Sequence, residues 1–240
     1  MNLSENTVSV LKNYSTINQN LLIKPGKVLT TMSAMKNIVS RAEVEEDFPR
    51  EMAIYDLNEF LSCLSLFANP KLNFKENFVI MTETGSKGKS LKYWFSDPSV
   101  VTTPSKEVTM PSSELTFTLS NHILSNVTKA AAVIGAPDMV LTNGYPDGAD
   151  LKVTDTKNDS ANDYSIGVNI DSSDEDAKYK FWFKVENLKL LPGSYKVEVS
   201  SKKISHFKNI SVDIEYFIAL EPESSYGWFE GFILWKLFCG

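Results

Sequence analysis

Twice in this chain a Leu-Ser pair opens an amphipathic helix that runs into an all-apolar strand. The first begins at Leu3-Ser4, serine being a good N-cap. It sets Val8, Leu11 and Tyr14 on one face, ends near Asn20 and meets Leu21-Leu22-Ile23. The second begins at Leu119-Ser120, stacks Ile123, Leu124, Val127 and Ala131, stops before Gly135 and Pro137, and meets Met139-Val140-Leu141. Each half then carries a further helix. One starts near Asp56 and aligns Leu57, Phe60, Leu61, Leu64 and Phe67, and a shorter one over residues 185–191 closes at Pro192-Gly193. A helix–strand order met twice restricts the chain to two similar α+β halves, and 240 residues are enough for two domains.

Most of the remainder reads as strand, with Val, Ile, Phe, Tyr and Thr alternating with polar residues. Candidates are 21–23, 28–32, 79–81, 91–95, 115–119, 139–142, 164–170, 179–183, 194–199, 211–214 and 216–220, separated by turn signals such as Lys24-Pro25-Gly26 and Asn143-Gly144. Between the halves, Pro98, Pro104 and Pro111 space an extended connector. The expected organisation is therefore an N-terminal domain over 1–96, a connector over 97–111, a C-terminal domain over 112–226 and an apolar extension over 227–240.

The formal net charge is -6, the opposite of what a simple basic nucleic-acid binder carries, so any such role has to come from where the charges sit. They are segregated. No carboxylate occurs from Asn6 to Ala42, a stretch holding Lys12, Lys24, Lys27, Lys36 and Arg41, nor from Leu115 to Pro137, which holds Lys129. The region of the short fourth helix adds Lys184 and Lys189, while acids gather at 43–47 and 147–176. The first and third helices thus show polar faces of Lys12, Asn13, Thr16 and Asn20, and of Asn121, Ser125, Asn126 and Lys129. Such faces can lie beside phosphates without repulsion or a tight grip, or they are ordinary solvated surfaces.

Chemistry-bearing motifs are absent. Gly85-Ser86-Lys87-Gly88-Lys89-Ser90 resembles a phosphate loop, but the required first glycine is Glu83 and a strand follows, so a basic hairpin turn is expected. His122 and His206 lack partners at metal spacing, the acidic stretch lacks calcium-loop spacing, and Cys63 and Cys239 make no disulfide framework. No catalytic residue, metal or cofactor is expected. The N-terminus has neither a basic nor an apolar signal region, and no run is long enough to span a bilayer.

The chain resembles the sliding clamps of T-even phages. The likeness opens at Leu3-Ser4, runs through Leu11-Lys12-Asn13-Tyr14-Ser15-Thr16-Ile17-Asn18 and is strongest at Ala53-Ile54-Tyr55-Asp56-Leu57-Asn58-Glu59-Phe60-Leu61. It continues in Asp97-Pro98-Ser99-Val100-Val101, Pro192-Gly193-Ser194-Tyr195-Lys196 and Ala219-Leu220-Glu221, and is loose from 141 to 177. The resemblance implies an α+β fold of two DNA-clamp domains, each with two helices on curved, mostly antiparallel sheets. It also implies a head-to-tail homotrimeric ring around duplex DNA, opened by a clamp loader, in the cytoplasm of an infected bacterial host. Such a clamp is not an enzyme. It tethers the replicative polymerase by that enzyme's C-terminal peptide, and late-transcription factors likewise. The alternative is a strand-rich phage structural or assembly protein, which explains the strands but not the ordered blocks.

Under the resemblance, Lys12, Asn13, Lys129, Lys184 and Lys189 face DNA, and Val100, Val101, Phe217 and Leu220 line the partner-peptide pocket or belong to the core. Past Ser224, where such clamps end, the chain adds an aromatic-rich segment. Within it Ile233, Leu234, Trp235, Leu237 and Phe238 are candidates for mimicking a partner peptide. A membrane contact lacks a basic face, and an extension without a role of its own is the third reading.

Overall fold

The structure, a computed structural model, describes residues 1–83, 85, 88–144, 148–172 and 177–227. The chain forms two compact units. The first is Met1–Val108 with Lys189–Leu191 and Val212–Phe217; the second is Thr109–Leu188, Pro192–Ser211 and the chain from Ile218 on. Most of the expected connector therefore goes with the first unit.

The first unit opens with α1 (Glu5–Ile17), capped by Ser4, whose hydroxyl accepts the Thr7 amide at 3.2 Å. Then come β1 (Leu21–Ile23), β2 (Gly26–Met32), β3 (Ile38–Phe48), β4 (Met52–Ile54), α2 (Leu57–Ser65), β5 (Pro70–Phe74), β6 (Phe78–Glu83) and β7 (Ser90–Trp94). Asp56 caps α2 by accepting the amides of Asn58 at 2.9 Å and Glu59 at 3.0 Å. The strands pair antiparallel as β1–β4, β2–β3 and β5–β6–β7. Leu11, Tyr14, Ile23, Phe48, Ile54, Phe60 and Met81 form the core. Each such side chain contributes about 1.5–3 kcal/mol on leaving water.

β3 was hidden in the sequence by its acids. Its even-numbered residues from Ile38 to Phe48 are buried, while Glu43, Glu45 and Asp47 point to solvent. The period of two is that of a half-buried strand, and it turns Glu46 inward.

The second unit holds β8 (Leu115–Leu119), α3 (Asn121–Ile134), β9 (Asp138–Asn143), β10 (Ala149–Thr154), β11 (Tyr164–Val168), β12 (Ile170–Ser172), β13 (Lys178–Lys184), β14 (Tyr195–Ser200), β15 (Ile204–Asn209) and β17 (Ser225–Gly227). β16 (Ile214–Ala219) is divided between the units, and its residues up to Phe217 lie beside β3 in the first. Sheet orders in the second unit are β11–β10–β9–β13–β17 and β12–β8–β14–β15. α3 starts at Ser120, which accepts the Ile123 amide at 3.2 Å, and ends at Gly135 in the left-handed conformation. Leu141, Leu151, Phe181, Phe183, Tyr195 and Phe207 are fully buried, Phe207 edge-on to both Phe183 and Tyr195.

Two expected elements change. The fourth helix is a single 3₁₀ turn, Val185–Asn187. The Val185 amide donates to Pro137 O and the Leu191 amide to the Tyr216 hydroxyl, tertiary bonds that replace a helical ladder. The strand expected at 211–214 is instead β15, seven residues earlier at its start. Among the described residues no helix is long and apolar enough to cross a membrane.

Candidate functional site

α1 and α3 begin alike and leave similar faces in water. On α1, Ser9, Lys12 and Thr16 are exposed beyond Glu5 in the first turn; on α3, Asn121, His122 and Lys129 are exposed. The hydroxyls between these residues mostly turn back to their own helix: Ser15 to Lys12 O at 2.9 Å, Thr16 to Asn13 O at 2.7 Å, Thr128 to Leu124 O at 2.8 Å. His122 and Asn126 join at 3.0 Å one turn apart. Of the groups expected to face DNA, Lys12 and Lys129 thus project from helix faces that carry no carboxylate past the first turn of α1.

The other three are held by the protein. Asn13 accepts the Tyr216 hydroxyl at 2.9 Å and donates to Lys189 O at 2.9 Å, and the Leu191 amide donates to the same Tyr216 hydroxyl at 3.1 Å. The Lys189 ammonium donates to Thr16 O at 2.5 Å, among the last carbonyls of α1, where a cation suits the helix dipole. These bonds fasten residues 189–191 to α1. Lys184 pairs with Asp138 at 2.5 Å, an aspartate only 2% exposed that also accepts the Thr156 hydroxyl and amide. Burial alone would raise the Asp138 carboxyl, but the bonds from Lys184 and Thr156 outweigh it and hold it below its ordinary range. Lys184 is raised in turn, chiefly by that bond. Its charge is balanced inside the second unit.

The start of α1 has a support that sequence reasoning missed. Glu46, turned inward by β3, accepts the Ser4 amide and the Thr7 hydroxyl, adding a carboxylate to the helix N-terminus. Burial pushes its carboxyl up, and the bonds from Thr7 and Ser4 bring it below the ordinary glutamate value.

In the first unit a cleft of about 430 Å³ opens between the β2–β3–β16 sheet and residues 104–108. Phe217 lines it with Leu22, Val28, Val39, Pro104 and Val108, and Lys24, Arg41, Lys106, Glu107 and Glu215 supply charge. Arg41 sits 3.9 Å from both Glu43 and Glu215, partly exposed pairs that contribute little. The other pocket candidates lie elsewhere. Val101 is buried against Leu22 and Ala53, Val100 is 53% exposed on a 3₁₀ turn, and Leu220 is buried in the second unit. Val28 and Val39 were missed as lining residues; β2 was expected as a strand, but the alternation of β3 was not recognised. The tail candidates Ile233, Leu234, Trp235, Leu237 and Phe238 lie outside the described residues. Among the described residues no group of three acids, histidines or cysteines could hold a metal ion.

A family model described as DNA polymerase processivity factor matches residues 4–88, and one described as gp45 sliding clamp, C terminal, matches residues 118–222. The sliding clamp of Vibrio phage KVP40 is 36% identical over 226 residues, covering 92% of this chain and 99% of that protein. The sliding clamp of Escherichia phage RB69 is 26% identical over 241 residues, covering 94% and 99%. Among solved structures, PCNA of Thermococcus kodakaraensis matches with a TM-score of 0.68 at 15% identity, covering 92% of this chain and 99% of that one. Proliferating cellular nuclear antigen of Entamoeba histolytica matches with a TM-score of 0.61 at 15% identity, covering 90% and 95%. At these identities the structural likeness bears on the fold alone, and the fold is that of the two-domain α+β clamps.

Proposed function

The chain belongs to the phage sliding-clamp family of DNA polymerase processivity factors, and from that premise we propose that it acts as a closed homotrimeric ring sliding on duplex DNA. As a family member it is a processivity factor and not an enzyme. The observation that carries encirclement is the pair of helix faces on α1 and α3. An acidic protein with net charge -6 carries no carboxylate on α3 and only Glu5, in the first turn, on α1, and leaves Lys12 and Lys129 exposed on these helices. Phosphates beside such faces meet mobile cations and helix hydroxyls already bonded to their own backbone, so attraction is weak, independent of sequence and salt-dependent. That suits sliding, where retention comes from topology and not from affinity.

Sheet edges that could pair between subunits support this reading, β7 and β11 among them. β7 is last in the β5–β6–β7 sheet and β11 is last in the β11–β10–β9–β13–β17 sheet. Unlike edges on one chain permit head-to-tail, heterologous association, which gives a ring where the rotation from one subunit to the next closes. The cleft around Phe217 takes the C-terminal peptide of the replicative polymerase. Late-transcription factors use the same tether, and an ATP-driven clamp loader opens the ring in the cytoplasm of the infected host.

The test is topological. The protein is loaded on nicked circular DNA with its clamp loader and ATP, and the circle is then cut. Retention on circles with loss from linear ends is expected; equal retention on both would sink the proposal.

A further inference from the structure

We infer that His122, on the exposed face of α3, is a phosphate contact that tightens the clamp's hold on DNA as pH falls. The inference rests on α3 lying on the DNA side of the ring.

The chain has two histidines, His122 and His206. Histidine is the side chain whose charge ordinarily changes between about pH 5 and about pH 8, so a response of this protein near neutrality is sought first at these two. They sit in opposite surroundings. His206, on β15, is 2.9 Å from the Glu198 carboxylate on the paired strand β14, so the protein supplies its anion. His122 is exposed, and among the described residues its ring is joined only to Asn126, at 3.0 Å one turn on. An asparagine amide can turn to donate to a neutral imidazole or to accept from a charged one. Protonation of the ring therefore need not cost that bond.

The ring shares its side of the helix with Lys129. Seven residues apart, the two lie within about 20° of each other round the helix and about 10 Å apart along it. Leu124, Val127 and Ala131 are buried on the other side. Duplex DNA carries a charge about every 3.4 Å of axis on each strand, so a face of that length spans several phosphates, and the two cations can engage different ones. The first turn is also held in place. The Asn121 amide donates to the Ser194 hydroxyl and the Asn121 carbonyl accepts the Gly193 amide, both at 3.0 Å.

The charges around α3 leave an imidazolium at 122 uncompensated. The helix itself has no carboxylate. β10 and β11 pack on it. Ala149, Leu151 and Val153 of β10 are buried, so Asp150 and Lys152 lie on the opposite face of that strand, Lys152 paired with Asp163 at 2.5 Å. β11 carries the Tyr164 phenol and no charge. The concavity beside Ile123 holds one group of each sign, Asp171 and Lys196. α1 has no counterpart: two residues after its capping serine stands Asn6, preceded by Glu5. The response belongs to α3 alone. A phosphate that favours the charged ring raises the pH at which the ring titrates, and by reciprocity a lower pH tightens DNA binding.

The experiment uses the full-length native chain with isotope-labelled histidine, whose two NMR signals are assigned with His122→Gln. The signals are followed from about pH 5 to about pH 8 at low salt, with and without a short duplex. With DNA present His122 should titrate at higher pH, and His206 should not move. Binding of a fluorescein-labelled duplex is then measured by anisotropy against salt. The logarithmic salt slope should be steeper at about pH 5.5 than at about pH 8 by roughly 1 for each imidazolium–phosphate pairing. His122→Gln should abolish that difference, and Lys129→Ala should lower the slope at both pH values. A His122 signal indifferent to DNA, or a pH difference that survives in His122→Gln, overturns the inference; the DNA side of α3 still stands if Lys129→Ala lowers the slope. An equal shift of both histidines also overturns it, since the general field of DNA and not contact would be acting. If neither substitution alters duplex binding at either pH, α3 is not on the DNA side and both readings fall together.

Discussion

Lys12 and Lys129 stand in water on the faces of α1 and α3, whereas Lys184 and Lys189, at the end of β13 and in the segment behind it, are held by the protein's own oxygen atoms. All four are lysines in or beside sequence that reads as helix. What divides them is the element packed beside them. β9 brings a buried carboxylate to Lys184, and the end of α1 brings a carbonyl to Lys189, while among the described residues no acceptor is bonded to Lys12 or Lys129. A cation that completes a fold and a cation available to a passing phosphate differ by that context and not by residue type. The distinction is measurable, because the first class changes stability when removed and the second changes only the response to salt.

The largest effect is expected at Lys184. In Lys184→Met the 2%-exposed Asp138 is left without its counter-charge and keeps only Thr156. Breaking a fully buried pair costs about 3–5 kcal/mol, and the partial exposure of the lysine lowers the expected cost to about 2–3 kcal/mol by urea denaturation. The pH dependence has a defined sign. The folded Asp138 value is depressed, so its contribution is present above the ordinary aspartate value and is lost as pH falls through the lower folded one. The folded Lys184 value is raised, so its contribution is complete below the ordinary lysine value and is lost as pH climbs through the higher folded one. The stability deficit of Lys184→Met should therefore be flat from about pH 5 to about pH 9. A deficit that disappeared within that window would break the contrast between the two classes.

Asn13 is the next test. Asn13→Ala removes the acceptor that Asn13 offers the buried Tyr216 hydroxyl and the donor it offers Lys189 O. The expected destabilisation is about 1–2 kcal/mol, with faster amide exchange at residues 189–191, which hang from α1 by this network. An unchanged exchange rate there would return Asn13 to the class of free surface groups.

The two helix starts sharpen the comparison further. α1 leans on the Glu46 carboxylate and α3 on the neutral Ser194 hydroxyl, which accepts the Asn121 amide at 3.0 Å. Glu46→Gln should cost about 1 kcal/mol. With its folded value lowered, Glu46 stabilises above the ordinary glutamate value and ceases to as pH falls through the folded one. The variant's deficit should accordingly shrink in acid, while Ser120→Ala, at about 1 kcal/mol, should show the same deficit at every pH. Thermal melts of both between about pH 3 and about pH 7 separate the cases.

The helices were legible because local signals decide them. Ser4, Asp56 and Ser120 are caps in the structure as in the sequence, and the apolar faces of α1, α2 and α3 follow their 3.6-residue period. β3 was not, because Glu43, Glu45 and Asp47 look like a charged loop until the burial of the residues between them is known. Residues 185–191 looked helical and are not, since Pro137 O and the Tyr216 hydroxyl, distant in sequence, take up their amides. The same long-range bonds hid the roles of Asn13, Lys184 and Lys189. In the cleft only Phe217 was foreseen, because its other walls come from strands paired across a hairpin and from the proline-spaced connector, and no short motif links them.

The smallest effect on stability, and the one that bears most directly on the ring, belongs to Lys12 and Lys129. Lys12→Ala and Lys129→Ala should each leave the unfolding free energy within about 0.5 kcal/mol of native, as expected for exposed side chains away from any bonded network. Their effect should appear where phosphates are present. With the clamp loaded on circular DNA, one-dimensional diffusion should become faster and less sensitive to salt, the logarithmic salt slope of the residual DNA attraction falling by roughly 1 for each lysine–phosphate pairing removed. Residence on the circle should not change, because a closed ring is retained by its topology. A variant that slid as the native clamp does at every salt concentration would remove these lysines from the DNA side. One that fell off circles would show that affinity, and not closure, had been holding it there.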